Sequence, residues 1–179
     1  MNKLPVFVFI FFSISAAAQQ QVVHFKDLQQ FLPQGEFLNY VRGKADGETS
    51  SMMGFTTSWA QVTYSSMPDS NKGTVSIKIT DMMNIPSYMS VPPSALNSSS
   101  RSTGSGYKRT LNYNNLNVLE TYDSTSHQAK LQITLATRFL IEISGAGIID
   151  PGILYSFLDK TDVEGLKKIA DNGANNRGR

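Results

Sequence analysis

The sequence predicts an α+β domain, in which an antiparallel sheet of about six or seven strands packs against N-terminal and C-terminal helices. Three observations lead to this prediction. Segments of alternating apolar and polar residues fill the middle of the 179-residue chain, helical periodicity is confined to the two ends, and most connections between segments are short. Short connections make neighbouring strands antiparallel, since a parallel crossover needs about a dozen residues or more.

Residues 1–18 are expected to be a secretory signal peptide that is not part of the fold. Lys3 supplies a positive charge, residues 4–14 are mostly apolar, and the alanines at 16–18 form a small-residue cleavage site before Gln19. The apolar part is shorter than the roughly 20 residues of a transmembrane helix, which favours cleavage over an uncleaved anchor. We therefore expect an exported protein, periplasmic or secreted, with no membrane span after cleavage.

The composition argues against several classes of protein. The chain has no cysteine, which excludes disulfides, thiolate metal sites and cysteine nucleophiles. Its two histidines and its net charge of +2 predict neither a histidine-rich metal site nor a nucleic-acid partner. We expect no cofactor, and a single domain over residues 19–173 followed by a disordered tail at 174–179.

The N-terminal part of that domain begins with a predicted helix over residues 24–32, whose apolar residues recur at helical spacing. Pro33 ends it. Residues 37–44 look extended. The polar, glycine-bearing residues 44–54 are interpreted as a hairpin connection or a mobile flap.

Six further segments have the alternation of half-buried strands, most clearly where Val75, Ile77 and Ile79 point to one side. Asn114 and Asn115 predict a tight turn between two of the strands, because asparagine tolerates positive φ. The predicted strands are 55–66, 74–81, 107–113, 116–122, 129–136 and 138–144.

Two segments between the strands are not expected to be strands. Residues 82–91 are interpreted as a short helix or a loop interrupted by Pro86. Residues 92–106 are rich in serine, glycine and proline and predict a long exposed loop.

The C-terminal end is predicted to be helical. Asp150 is expected to cap a helix with Pro151 in its first turn. Thr161 and Glu164 have the spacing of a capping box for a last helix, which Gly173 ends.

The candidate ligand-binding residues are apolar or aromatic. Methionines cluster in the loop-like segments, where flexible thioethers suit an adaptable apolar surface; the alternative is that they fill gaps beneath the loops. Two aromatic residues are expected to line a cleft together with these methionines. The candidates are Trp59, Met82, Met83, Tyr88 and Met89.

No catalytic residue is assigned. Gly145 and Gly147 resemble the start of a dinucleotide fingerprint, but Asp150 takes the place of its third glycine, so a glycine turn into a helix is favoured. A carboxylate-based hydrolase could use Asp81 and Glu120 if their carboxylates lie about 5–9 Å apart.

A series of short structural motifs runs through most of the chain after the leader. It comprises Phe31-Leu32-Pro33, Ala60-x-Val62-x-Tyr64, Val75-x-Ile77-x-Ile79-x-Asp81, Gly106-Tyr107-Lys108-Arg109, Arg138-Phe139, Gly145-Ala146-Gly147 and a closing helix with Asp162 and Leu166. The series resembles a group of exported bacterial proteins with no established activity. The order of strands and helices is similar to that of PsbP-like α/β/α sandwiches, which are mostly adaptor and binding domains; this resemblance is topological and implies no functional residues.

The sequence therefore favours a non-enzymatic binding or adaptor module of the bacterial cell envelope. Its partner would be an envelope protein or a small apolar ligand. Two alternatives remain open: a carrier that holds a small apolar ligand or lipid between sheet and helices, and a hydrolase that uses paired carboxylates.

Overall fold

Nine strands form one antiparallel sheet within residues 21–36, 38–52, 55–67, 73–83 and 101–175, which are the residues that the computed structural model describes. The predicted signal peptide lies outside these residues, as do residues 84–91 of the predicted helix or loop. The strands are β1 Tyr40–Arg42, β2 Asp46–Met52, β3 Phe55–Ser66, β4 Thr74–Asp81, β5 Arg101–Thr103, β6 Gly106–Tyr113, β7 Leu116–Asp123, β8 Gln128–Leu135 and β9 Phe139–Ala146.

The sheet consists of two meanders that join at one strand pair. Its order is β1-β3-β4-β9-β8-β7-β6-β5, and β2 pairs with the other half of the long strand β3. Strands β2 to β4 and strands β5 to β9 each follow one another as antiparallel neighbours, and β4 pairs with β9 to join the two groups. The predicted α+β, antiparallel architecture is confirmed at this level.

The six strands with clear alternation are all present. Strands β3 and β4 have the predicted bounds, and the other four differ by at most two residues at either end. Asn114 has φ 50° and Asn115 has φ 62°, which confirms the tight turn between β6 and β7. Positive φ at both central positions produces a twist that matches that of the flanking strands.

The expected number of six or seven strands is wrong, because two polar edge strands lie in segments that the sequence predicts to be connections. Strand β2, Asp46–Met52, lies within residues 44–54, for which the sequence predicts a hairpin connection or mobile flap. Strand β5 lies in the predicted loop 92–106. Strand β2 is mostly exposed and β5 pairs on one side only, so neither shows the alternation of a half-buried strand.

The helices lie mainly at the C-terminal end, whereas the sequence predicts N-terminal and C-terminal helices packed on the sheet. Helix α1 is a single turn, Phe25–Leu28, and a 3₁₀ turn at Gln29–Phe31 continues it. Helices α2, Ile153–Lys160, and α3, Val163–Asn175, supply most of the helical residues. Helix α3 extends two residues beyond Gly173, where the sequence predicted its end.

The predicted caps of these two helices are displaced. Asp150 accepts a hydrogen bond from the backbone of Gly152, and that glycine is the N-cap of α2, without a side-chain cap. Asp162 caps α3 by accepting from the backbone N–H of Gly165. Thr161 instead donates its hydroxyl to the carbonyl of Phe157, so the capping-box prediction is wrong by one residue.

One face of the sheet, here called the inner face, packs against the helices and forms the core. Tyr40, Tyr64 and Phe157 fill the space beneath α2, where the two tyrosine rings lie 5.3 and 5.1 Å from the phenylalanine ring. The buried inner-face residues of the central strands are Ala60, Val62, Val75, Ile77, Ile79, Ala129, Leu131, Ile133, Leu135, Phe139, Ile141 and Ile143. Burying such residues provides the main stabilising free energy in a chain without disulfides.

The opposite side of the sheet, here called the outer face, carries mostly polar side chains. Trp59 and Lys78 lie there, and the lysine Nζ is 4.8 Å from the centre of the indole ring. Leu119 also points to this side and is nevertheless buried. None of the helices in the described part of the chain has the length and apolar character that crossing a bilayer requires.

Candidate functional site

A buried carboxylate lies where β6, β7 and α2 meet. Glu120 is 1% exposed and its oxygens accept three hydrogen bonds. The hydroxyl of Tyr107 donates to one oxygen over 2.5 Å. Arg109 Nε and the hydroxyl of Tyr155 donate to the other oxygen over 2.9 and 2.8 Å.

These donors determine which groups of the cluster are charged. Burial raises the pKa of Glu120, but the hydrogen bonds from Tyr107, Arg109 and Tyr155 more than offset it and hold that pKa below its ordinary value. Burial and the nearby carboxylate raise the pKa of Tyr107 to about 12, and the same causes raise that of Tyr155. At neutral pH the cluster is therefore an ionised carboxylate held by an arginine and two neutral tyrosines, an arrangement that joins helix to sheet.

A second buried carboxylate lies at the end of β4. Asp81 is fully buried, and Arg138 donates to it from Nε and from Nη2, the latter over 2.9 Å. The backbone N–H groups of Val23 and Met83 donate to it over 2.9 and 3.0 Å. Arg138 also donates to the carbonyl of Gln21, so the pair fastens the first described residues to the sheet.

The structure does not bring Asp81 and Glu120 together. They lie on the inner face three strands apart, and Asp81 is in register with Phe139 whereas Glu120 is in register with Leu131. From the spacing of strands and residues we derive a separation of about 20 Å. This is more than the roughly 5–9 Å expected of a catalytic carboxylate pair.

The predicted ligand-binding residues do not form one pocket among those described. Trp59 lies on the outer face beside Lys78. Met82 is buried, and its backbone N–H donates to the carbonyl of Arg138. The backbone N–H of Met83 donates to the Asp81 carboxylate. The other two candidates, Tyr88 and Met89, lie outside the described residues.

Two adjoining grooves cross the outer face, and we call them together the outer-face trough. The larger, of about 490 Å³, extends from β4 to β7, and the smaller, of about 250 Å³, extends from β7 to β5. They share Thr121 and Asp123 in their walls. Hydroxyl, amide, basic and acidic residues line the trough together with Tyr107 and Tyr122, and Gly106 and Ala146 contribute little side-chain volume to it.

One register row runs the length of this trough. It consists of Arg101, Lys108, Thr121, Lys130, Ser144 and Ser76, each opposite the next on the neighbouring strand. Three basic groups and three hydroxyls therefore form a line across six strands. Lys130 is paired with Glu142 over 2.6 Å, whereas Arg101 and Lys108 at the β5 end form no ion pair with any acidic side chain among the described residues.

A third groove, of about 380 Å³, lies between the β6–β7 turn and the junction of α2 and α3. Asp159 lies in its wall and accepts hydrogen bonds from Tyr113 and Asn114, which ties the turn to α2. Within the described ranges, no three histidine, aspartate or glutamate side chains could together hold a metal ion.

Several partners of the two buried carboxylates were missed by sequence reasoning. The Asn114–Asn115 turn contained a usable signal, because a two-residue turn sets the register that places Arg109 opposite Glu120. The contact from Tyr155 depends on how α2 crosses the sheet, and no local pattern encodes that.

The comparisons with known proteins do not add a family to this description. No protein-family model, curated protein or solved structure matches the chain.

Proposed function

We propose that the protein is an exported, non-enzymatic binding or adaptor module of the bacterial cell envelope, and that the outer-face trough is its binding surface. The observation that carries this proposal is the difference between the two faces of the sheet. The inner face is filled by the core and the described helices, whereas Thr121 and Ser144 of the trough are exposed. An extended exposed surface on a rigid sheet can hold a partner without a change of fold.

The buried carboxylates support a binding role over hydrolysis. Glu120 and Asp81 each accept hydrogen bonds from several donors, and each joins segments that are distant in the chain. Polar groups that are buried and fully paired rigidify a fold and specify its packing. The two carboxylates also lie about 20 Å apart, which is too far for a mechanism that uses paired acids.

The carrier alternative receives less support from the described residues. It places an apolar ligand between sheet and helices, and that space beneath α2 is occupied by Tyr40, Tyr64 and Phe157. No observation in the described chain favours methionine-lined storage of a lipid.

Site-specific photo-crosslinking in cells that export the protein tests the proposed surface. A photoreactive amino acid is placed at Thr121 or Ser144 in the trough, and at Lys160 or Lys168 on the helices as matched exposed controls. We expect discrete crosslinked adducts from the two trough positions and only background from the helix positions, because a partner seated on the outer face contacts only the former.

The opposite pattern would contradict the proposal. Adducts that form at the helix positions and not in the trough would place the partner on the other side of the molecule. Equal background at all four positions, with the exported protein folded and abundant, would argue against a bound partner.

A further inference from the structure

Two basic side chains face each other at one end of the outer-face trough. Arg101 on β5 lies directly opposite Lys108 on β6. Directly opposed residues of antiparallel strands have Cβ atoms about 4.5–5.5 Å apart, and like charges at such positions destabilise the pair. In the part of the chain that the structure describes, neither residue forms an ion pair with an acidic side chain.

The short edge strand β5 has little other stabilisation to offset this repulsion. Strand β5 has three residues and pairs on one side only, so few backbone hydrogen bonds hold it against β6. An unfavourable pair of like charges such as this one is expected mainly at functional sites. An anionic group between the two cations would remove the repulsion.

We infer that the trough binds an acidic glycan, with a carboxylate of the glycan held between Arg101 and Lys108. This inference rests on the binding function proposed above and names the ligand class for the same surface. Charge complementarity is its first support, because the guanidinium and ammonium groups donate charge-assisted hydrogen bonds to carboxylates.

The rest of the register row matches the neutral part of such a ligand. Thr121, Ser144 and Ser76 present hydroxyls along one line, and a hydroxyl can both donate to and accept from a sugar hydroxyl. Glu142 neutralises Lys130, so the acidic group of the ligand is directed to the β5 end.

Asp123 limits where that acidic group lies. Hydrogen bonds from the backbones of Thr125 and Ser126 lower the pKa of its carboxyl, which is ionised at neutral pH and repels an anion. The ligand carboxylate therefore lies on the side of Arg101 and Lys108 that is farther from Asp123.

The length of the trough suits an oligosaccharide. Five interstrand steps of about 4.8 Å separate β5 from β4, which gives about 24 Å for a chain that crosses the strands. Several sugar rings fit along this length.

Calorimetric titration of the exported, purified protein tests the inference. The acidic ligand is an oligogalacturonate, a linear chain of uronic acids, and the neutral comparison is a malto-oligosaccharide of the same length. We expect the wild type to bind only the oligogalacturonate, more weakly at higher salt. The double variant Arg101→Gln/Lys108→Gln should bind it about tenfold more weakly or worse, the effect of losing charge-assisted hydrogen bonds.

A matched variant separates a specific site from general charge. Lys160→Gln/Lys168→Gln removes the same charge from the helix side and should keep the affinity. The single change Arg101→Glu should weaken binding while raising Tm, since it converts the opposed like charges into an ion pair.

Three results would overturn the inference: no binding of the acidic glycan, equal weakening in both double variants, or equal affinity for a DNA duplex of the same charge. The crosslinking experiment then locates the error. Adducts at Thr121 and Ser144 without glycan binding would contradict only the ligand class. If neither adducts nor glycan binding were found, the proposed binding surface itself would be wrong.

Discussion

Replacing Asp81 with alanine is expected to lower the free energy of unfolding by about 3–5 kcal/mol, the cost of removing one partner of a buried ion pair. Arg138, only 8% exposed, would lose its carboxylate. The backbone N–H groups of Val23 and Met83 would lose an acceptor. Urea denaturation at neutral pH measures the change, and N-terminal residues 21–23 should become susceptible to proteolysis in the variant.

Two further variants show whether the effect comes from the buried charge. Glu164→Ala breaks an exposed ion pair with Lys167 and should change stability little. Asp81→Leu/Arg138→Met removes both charges and should recover part of the loss, because an uncompensated buried charge is no longer present. A double variant less stable than Asp81→Ala would contradict this explanation.

Replacing Glu120 with alanine is expected to cost about 2–4 kcal/mol, because the half-buried residues Tyr107 and Tyr155 lose the acceptor of their hydroxyl groups. The loss is smaller than for Asp81 because Arg109 is 49% exposed and its guanidinium can be hydrated when the carboxylate is gone. Asp159→Ala, which removes an acceptor from Tyr113 at the surface, is the control and should have a small effect.

The same carboxylate predicts a pH dependence of stability. The pKa of Glu120 is lower in the folded protein than its ordinary value of 4.5, so its ionised form favours folding. That contribution is complete above the unfolded pKa and is lost as the pH falls through the folded pKa. The stability difference between wild type and Glu120→Gln should therefore be largest near about pH 7 and shrink near about pH 3. A difference that grew in acid would contradict the assignment.

The fold was predictable where side chains alternate in burial. In β4 every second residue is buried, and the pattern alone places Val75, Ile77 and Ile79 on one side with the correct bounds. The polar edge strand β2 was not predictable in this way, because its residues Asp46–Met52 have no buried face to mark them. Its pairing with β3 is decided by backbone hydrogen bonds that the side-chain pattern does not encode.

The site was predictable only in part, since it depends on contacts between distant segments. The sequence singled out Asp81 and Glu120 as candidate acids but did not give the distance between them, which the strand order sets at about 20 Å. The opposition of Arg101 and Lys108 follows from the two-residue turn at 104–105, and recognising it required knowing that β5 is a strand. The candidate role of Trp59 and the methionines rests on composition, which does not say which face a residue occupies.

Whether a partner covers the outer-face trough in the cell is measured most directly by acylation of lysines in intact cells and in the purified protein. Lys108 and Lys130 lie in the trough, and Lys160 and Lys168 lie on the helices as internal controls. A partner on the outer face predicts slower acylation of the two trough lysines in intact cells, with the helix lysines reacting equally in both samples. Two results would contradict a binding surface on the outer face. One is that each of the four lysines reacts at the same rate in cells as in the purified protein, and the other is that only the helix lysines are protected in cells.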